Sequence, residues 1–145
     1  MIDARTLCCG LVALALTAFL TAVSPAGAET IALKADLKGS NEVPPNTATG
    51  AGSVTLSFDT ASNRLTWKGT LAGLTAPPTA AHLHGPAEAG KNAGVQVPIP
   101  NPGPQFEGSA VLSAAQASDL LAGRIYVNIH TAAHPGGEVR GQVVK

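Results

Sequence analysis

Two of the four histidines in the chain, His82 and His84, lie one residue apart in the stretch AHLHGPAEAG. Alternate residues of a β-strand project to the same side, about 7 Å apart at a rise of ~3.3 Å per residue, so both imidazoles would share one face. Copper and zinc accept imidazole ligands, commonly two or three with one position left open. The pair therefore predicts either part of a metal site or the polar face of an ordinary strand.

A third histidine comes from a second predicted strand, GRIYVNIHT. Its alternation places Ile125, Val127 and Ile129 on an apolar face and Tyr126, Asn128 and His130 on the opposite one. If this strand is the neighbour of the first, His130 joins His82 and His84 in a three-histidine site for copper or zinc. Sequence spacing alone does not decide whether the two strands are neighbours.

The last two predicted strands flank the turn sequence AAHPGG, which favours a hairpin. A near-symmetric loop would place His130 opposite Glu138, and Asn128 opposite Arg140, on one outward-facing side. A carboxylate beside a histidine can fix its tautomer, so we expect Asn128, Glu138 and Arg140 to support the site. His134, within the turn, is a candidate for a fourth ligand.

Composition argues against several other functions. Nine basic and nine acidic residues balance and do not cluster, and aromatic residues make up 3%. We therefore expect no nucleic-acid partner, no anionic membrane partner and no stacking platform for sugars or bases. The sequence contains no nucleophile elbow and no glycine-rich phosphate loop before a helix. Enzyme activity is not expected unless it builds on the metal.

Residues 1–28 are predicted to be a signal peptide. Arg5 precedes the apolar run LCCGLVALALTAFLTAV, which is too short and wrongly flanked for a membrane span, and Ala26 and Ala28 form a small-x-small cleavage pattern. Cleavage after Ala28 leaves one domain of residues 29–145, which lacks cysteine. We expect this domain to be periplasmic or secreted, free of the membrane, and stabilised by a hydrophobic core rather than disulfides.

Hydrophobic alternation with a period of two dominates residues 29–145. It predicts seven or eight short strands, including a hairpin across DTASN that buries Trp67, and an antiparallel sandwich or flattened barrel. The one helical stretch is SAAQASDLLAG, a crossover in which Ser113 and Gln116 form a capping box and Gly123 ends the helix. The polar segment GSNEVPPNTATGAG is predicted to be a structural loop between the first two strands.

Three stretches together resemble the CHRD family, named for the extracellular protein chordin: LKGSNEVPPNTATGAG, AHLHGPAEAGKNAG and LLAGRIYVNIHTAAHPGGEVRGQV. The resemblance covers residues 30–144. It implies an exported, single-domain, antiparallel β-sandwich of immunoglobulin-like or superoxide-dismutase-like type, but no assigned activity. His82, His84 and His130 match the family pattern, whereas His134 does not.

The three histidines are also similar in spacing to those of copper/zinc superoxide dismutases, whose sandwich uses a His-x-His strand for copper. This chain lacks a recognisable zinc loop and the matching disulfide, so dismutase activity is not expected. Two hypotheses remain open: copper or zinc binding through the three histidines, and an extracellular protein-binding or structural module without metal or catalysis.

Overall fold

The computed structural model describes Gly27 and residues 29–145; apart from Gly27, the predicted signal peptide lies outside the described residues. Eight strands and one α-helix follow in chain order: β1 (Thr30–Lys38), β2 (Ala51–Asp59), β3 (Arg64–Ala72), β4 (Pro78–His84), β5 (Val95–Pro98), β6 (Gln105–Val111), α1 (Ala114–Leu121), β7 (Tyr126–Thr131) and β8 (Val139–Gln142). A 3₁₀ turn, Gly39–Asn41, follows β1. In the described part of the chain, no helix is long and apolar enough to cross a membrane.

All eight strands belong to one antiparallel sheet in the order β5-β4-β7-β8-β1-β2-β3-β6. Inward side chains from both ends of this order pack in a single hydrophobic core, so the sheet curls round that core and is nearly closed. The predicted class, an antiparallel all-β domain with about eight strands and one short helix, is confirmed.

Strands β1, β2, β3 and β6 form one half of the sheet. Their burial alternates strictly, because inward positions are apolar and outward positions are mostly Ser, Thr or charged residues. The hairpin between β2 and β3 pairs Leu56 with Trp67, and Trp67 is buried as predicted. The outward surface of these four strands is called the open face below, since most of its side chains lie in solvent.

Helix α1 connects β6, at one edge of the sheet, to β7 in the other half, as predicted for a crossover helix. The Ser113 hydroxyl accepts a hydrogen bond from the Gln116 amide, and the Gln116 side chain accepts one from the Ser113 amide. This predicted capping box satisfies two amides that the helix itself leaves unpaired. Gly123 follows the helix with φ +71°, a conformation that favours glycine.

Strands β4, β7 and β8 carry outward polar side chains that two loop segments enclose; this surface is called the covered face below. Residues 39–46 lie against β8, where Asn41 donates to the Arg140 carbonyl and Asn46 to the Glu138 carbonyl. Residues 88–94 lie over β7 and bond to the Tyr126 hydroxyl and the Arg140 guanidinium. The segment predicted to be a structural loop therefore covers the sheet.

Glu138 and Arg140 were predicted to face outward, and they do so without being exposed to solvent. Both point away from the apolar core, but they are only 0% and 2% exposed because the two loop segments cover them. Strand alternation specifies which face a side chain occupies, whereas solvent exposure depends on whatever packs on that face. The covered face therefore buries charged groups, which need partners to offset the cost of leaving water.

Candidate metal site

The pairing of β4 with β7 brings the histidines together. In the antiparallel register, His82 lies opposite Asn128, His84 opposite Tyr126, and Ala80 opposite His130. His82 and His130 are thus diagonal neighbours on the covered face, close enough for side chains to meet. The condition that the sequence left open, that these two strands are adjacent, is met.

The imidazoles of His82, His84 and His130 form a cluster. One ring nitrogen from each lies within 4.8 Å of the others, and the closest pair, His82 Nδ1 and His130 Nε2, is 3.2 Å apart. Ring centroids are 5.1 Å apart for His82 and His130, and 5.4 Å for His82 and His84. His84 is buried at 8% exposure, whereas His82 and His130 are half-buried, so the cluster opens to solvent on one side.

Backbone carbonyls determine the tautomers of two of these rings. His84 Nδ1 is 3.0 Å from the Ala93 carbonyl oxygen, and His130 Nδ1 is 3.0 Å from that of Pro135. A carbonyl oxygen only accepts, so each Nδ1 carries the proton and each Nε2 keeps a lone pair. Hydrogen bonds of this kind orient the histidine ligands of metal sites.

The Nε2 atom of His84 is buried and has no hydrogen-bond partner in the described part of the chain. Because its Nδ1 donates to Ala93, this Nε2 is an acceptor, and a buried acceptor without a partner destabilises the fold. His130 Nε2, by contrast, accepts from His82 Nδ1. The unsatisfied lone pair therefore lies on the most buried ring of the cluster.

The surroundings of His82 and His84 favour the neutral form of both rings. Burial lowers the pKa of His82, and the nearby His130 lowers it further. Burial also lowers the pKa of His84, with smaller contributions from His82, His130 and Arg140, although the bond to Ala93 opposes the shift. Neutral imidazole is the form that binds metals, so both shifts favour ligation near neutral pH.

Tyr126 and Arg140 lie on the same face of the sheet as His84 and help to hold its ring in place. The Tyr126 ring stacks on the His84 ring at 5.0 Å with an interplanar angle of 6°, and the Arg140 guanidinium lies 3.4 Å from the Tyr126 ring centre. The Tyr126 hydroxyl accepts from the Ala93 amide, and Arg140 donates to Asn92 Oδ1. Together these bonds fix the backbone of residues 91–93, whose Ala93 carbonyl orients His84.

The other predicted supporting residues take different positions. Asn128 lies opposite Arg140 as predicted, is buried, and its Oδ1 has no partner among the described residues. The Glu138 carboxylate accepts hydrogen bonds from Thr131 and Thr75 rather than from His130. Burial opposes its ionisation, but the hydrogen bonds from the Thr131 hydroxyl, the Thr75 hydroxyl and the Thr75 amide, with a smaller contribution from His134, hold the pKa of Glu138 below its usual range.

His134 does not belong to the cluster of described ligands. Its amide and carbonyl instead form the turn with Thr131 and Gly137. The same turn contains Pro135, whose carbonyl orients His130. The turn therefore contributes a backbone carbonyl to the site, and not the His134 imidazole that was a candidate fourth ligand. No side-chain pattern in the sequence could have indicated the role of Pro135 or that of Ala93.

Glu42 is a buried charged residue that the sequence interpretation left inside a structural loop. It is 6% exposed, its Oε1 has no partner among the described residues, and it lies near Arg140 on the covered face. Burial raises its pKa to about 7, although Arg140 and the Val43 amide oppose this shift. The sequence around Glu42 offered only the Glu-Val-Pro-Pro stretch, which predicts an extended backbone but does not predict burial of the Glu42 side chain.

The donor set fits a copper or zinc ion. Metal–nitrogen bonds of about 2.0–2.1 Å place two nitrogens of a tetrahedral site roughly 3.4 Å apart. The 3.2 Å between His82 and His130 is already close to this spacing, and the remaining nitrogen must approach by roughly 1 Å from a separation within 4.8 Å. Side-chain rotation supplies such a shift, and an ion would satisfy the unpartnered His84 Nε2.

Comparison with known proteins identifies the family but no activity. A family model described as the CHRD domain matches residues 33–143. Neither the curated proteins nor the solved structures give a match to the chain. The family match spans β1 to β8 and includes all three histidines of the cluster. The chain therefore belongs to the CHRD family.

Proposed function

We propose that this protein is an exported metal-binding domain that holds copper or zinc through His82, His84 and His130. The observation that carries the proposal is the His84 ring: its Nδ1 donates to Ala93, while its buried Nε2 has no partner and belongs to a ring within the cluster. A buried group without a partner calls for an explanation, and a bound ion is one that fits a lone pair aimed into a cluster of imidazoles. Each of the three residues would supply one neutral nitrogen.

The chain's own groups would position the ligands rather than react. The Ala93 and Pro135 carbonyls hold the protons on Nδ1 of His84 and His130, which leaves Nε2 available. The His82–His130 hydrogen bond would be lost on metal binding, and the His82 proton would move from Nδ1 to Nε2 so that Nδ1 could bind the ion. A bound copper or zinc would supply Lewis acidity or, for copper, electron transfer. No other group of the cluster suggests a reaction, so catalysis is not part of the proposal.

Export is also part of the proposal. The N-terminal sequence supports it through the Arg5 n-region, the apolar run and the Ala26 and Ala28 cleavage pattern. Family membership supports it as well, since CHRD domains are generally extracellular. The domain would fold and act in the periplasm or outside the cell, without a nucleic-acid partner or a membrane anchor after cleavage.

Elemental analysis after metal challenge tests the proposal directly. Residues 29–145 are incubated with copper or zinc, desalted and analysed, and we expect one ion per chain for the wild type. The double variant His82→Ala/His84→Ala should bind less than a tenth of an ion, because a single remaining imidazole does not hold the metal through desalting. A rise in melting temperature with metal should accompany binding.

The variant His134→Ala is the matched control, because it removes a histidine of the same chain that lies outside the cluster. It should bind as much metal as the wild type. If the wild type binds no metal, or if the double variant binds as much as the His134→Ala control, the proposal is wrong. The protein would then be better described as an extracellular protein-binding or structural module with a polar histidine face.

A further inference from the structure

The three-histidine cluster contains no anionic ligand. Within residues 29–145, the cluster of candidate donors consists of the three imidazoles, and neither Glu138 nor Glu42 belongs to it. Glu138 accepts bonds from Thr75 and Thr131. Glu42 sits beside Arg140, with its pKa raised by burial. An ion bound here would keep its full charge, because neutral nitrogens do not offset it.

A fixed positive charge lies behind the cluster. Arg140 is 2% exposed, and its guanidinium contacts the Tyr126 ring that stacks on His84. Its hydrogen bonds go to neutral oxygens, Asn92 Oδ1 and the Lys91 carbonyl. No carboxylate within the described residues lies at ion-pair distance from it. The charge is therefore buried and has no carboxylate at ion-pair distance, although Glu42 lies close enough to interact with it electrostatically.

We propose that this charge pattern selects a monovalent ion, Cu(I), over the divalent ions Zn(II) and Cu(II). The inference rests on the proposed metal site and specifies its ligand. Coulomb repulsion from Arg140 is twice as large for a divalent ion as for a monovalent one, and no ligand carboxylate offsets it. Cu(I) has a filled d shell and accepts three nitrogen ligands, so three imidazoles satisfy it without an anion.

Cu(I) and Zn(II) are a matched pair of probes, since both have filled d shells and neither imposes a ligand-field geometry. Affinities are measured by competition with chromophoric chelators, anaerobically for Cu(I), on metal-free residues 29–145. We expect the wild type to bind Cu(I) more tightly than Zn(II). The informative quantity is the ratio of these two affinities and its change in variants of altered charge.

Arg140→Gln removes the charge, and Arg140→Lys retains it. At an effective dielectric constant of about 20 and a separation of about 10 Å, one extra unit of ionic charge changes affinity roughly tenfold. Arg140→Gln should therefore shift the Cu(I)/Zn(II) ratio roughly tenfold toward Zn(II), whereas Arg140→Lys should leave it within about threefold of wild type. Circular dichroism establishes that each variant is folded.

Ala80→Asp tests the same idea without disturbing the buried arginine. Ala80 is half-buried and lies opposite His130 on the same face, so a side chain there points toward the cluster. A carboxylate at this position should shift the ratio toward Zn(II) by tenfold or more. Ala80→Asn has nearly the same shape without the charge and should leave the ratio unchanged.

The outcomes separate this inference from the proposed function. Tighter Cu(I) binding in the wild type, with a shift toward Zn(II) in Ala80→Asp but not in Ala80→Asn, supports it. One ion per chain with Zn(II) preferred, or with a ratio insensitive to both charge changes, overturns charge selection and leaves the metal site standing. An absence of any bound metal overturns both. If Arg140→Gln does not fold, the Ala80 pair decides.

Discussion

On the open face, the outward side chains of β2 and β3 meet solvent, and the ion pair between Lys68 and Glu107 is largely exposed on both sides. On the covered face, residues 39–46 and 88–94 pack over the outward side chains of β7 and β8, so that Tyr126 and Arg140 are buried. Both faces arise from the same alternation along the strands. The difference lies in the loops, which convert a polar surface into an enclosed polar network.

The candidate site lies where that enclosure is incomplete. His84 is under the loop that contains Ala93, whereas His82 and His130 are half-buried at its margin. A fully exposed face would leave imidazoles mobile and hydrated, and a fully enclosed one would exclude an ion. Partial cover provides fixed orientations together with access, which is what a metal ligand set requires. Three sets of variants test this contrast between the two faces.

The largest expected difference is between a buried and an exposed cation. Arg140→Met removes a guanidinium whose hydrogen bonds to Asn92 and Lys91 tie a loop to the sheet, and it should lower the free energy of unfolding by about 3 kcal/mol because two acceptors lose a charged donor. Lys68→Met removes an exposed cation and should stay within about 0.5 kcal/mol of wild type. Urea unfolding of metal-free protein measures both. Equal effects would contradict the distinction drawn between the faces.

The second difference tests how closely the covered face is packed. Gly137 has φ +133°, and a Cβ there would lie 2.6 Å from Asn128 Oδ1 and 2.7 Å from Glu42 Oε1. Gly137→Ala should therefore lower the free energy of unfolding by more than about 2 kcal/mol, through strain and steric overlap. A Cβ on the neighbouring Gly136 meets nothing within 4 Å, so Gly136→Ala should change stability by less than about 0.5 kcal/mol. Thermal unfolding of the two variants, compared at equal pH, checks this.

The third difference concerns pH. Burial raises the pKa of Glu42 from 4.5 to about 7, so the folded protein binds more protons than the unfolded chain within that window. Stability from this group is complete below pH 4.5 and is lost as pH rises through 7. Relative to Glu42→Gln, the wild type should lose about 2 kcal/mol between pH 5 and pH 8. Denaturant unfolding at several pH values gives the difference, in which contributions common to both proteins cancel.

Asp59, at the exposed end of β2, should behave in the opposite way. Hydrogen bonds from the Ser62 amide and side chain are the main cause of its lowered pKa, so its contribution is present above pH 3.8 and is lost only as pH falls through the lowered value. The difference between wild type and Asp59→Asn should therefore be flat between pH 5 and pH 8. A flat curve for Glu42→Gln as well would show that the packing of residues 39–46 against the sheet does not desolvate the Glu42 carboxyl group.

Local patterns in the sequence were sufficient to predict the strands, the capping box of α1 and the opposition of Asn128 and Arg140. Period-two alternation and turn chemistry depend on near neighbours, which a single sequence contains. The adjacency of β4 and β7 joins residues 48 positions apart at His82 and His130, and it could only be stated as a condition. The packing of residues 39–46 and 88–94 over the sheet also depends on tertiary contacts, which local sequence patterns do not contain.

The side-chain pattern of the sequence could not predict the remaining parts of the site. The Ala93 and Pro135 carbonyls orient two histidines, yet every residue has a carbonyl and only the folded backbone shows where each one points. Glu138 shows a second limit of the sequence. It lies close to β7, as the hairpin predicted, but its carboxylate accepts a hydrogen bond from Thr75, which is distant in sequence. Partner choice among polar groups is thus less predictable than the face they occupy.

The diagonal placement of His82 and His130 has a consequence for how the chain is held together. Residues 29–145 contain no cysteine, so no disulfide restrains this part of the chain when it is unfolded. An ion shared by these two residues would act as a reversible cross-link closing a loop of 48 residues, and closing so long a loop removes much conformational entropy from any state that keeps the ion. Its binding energy would become folding energy, and the bound ion would restrain the domain in the way that a disulfide restrains other proteins.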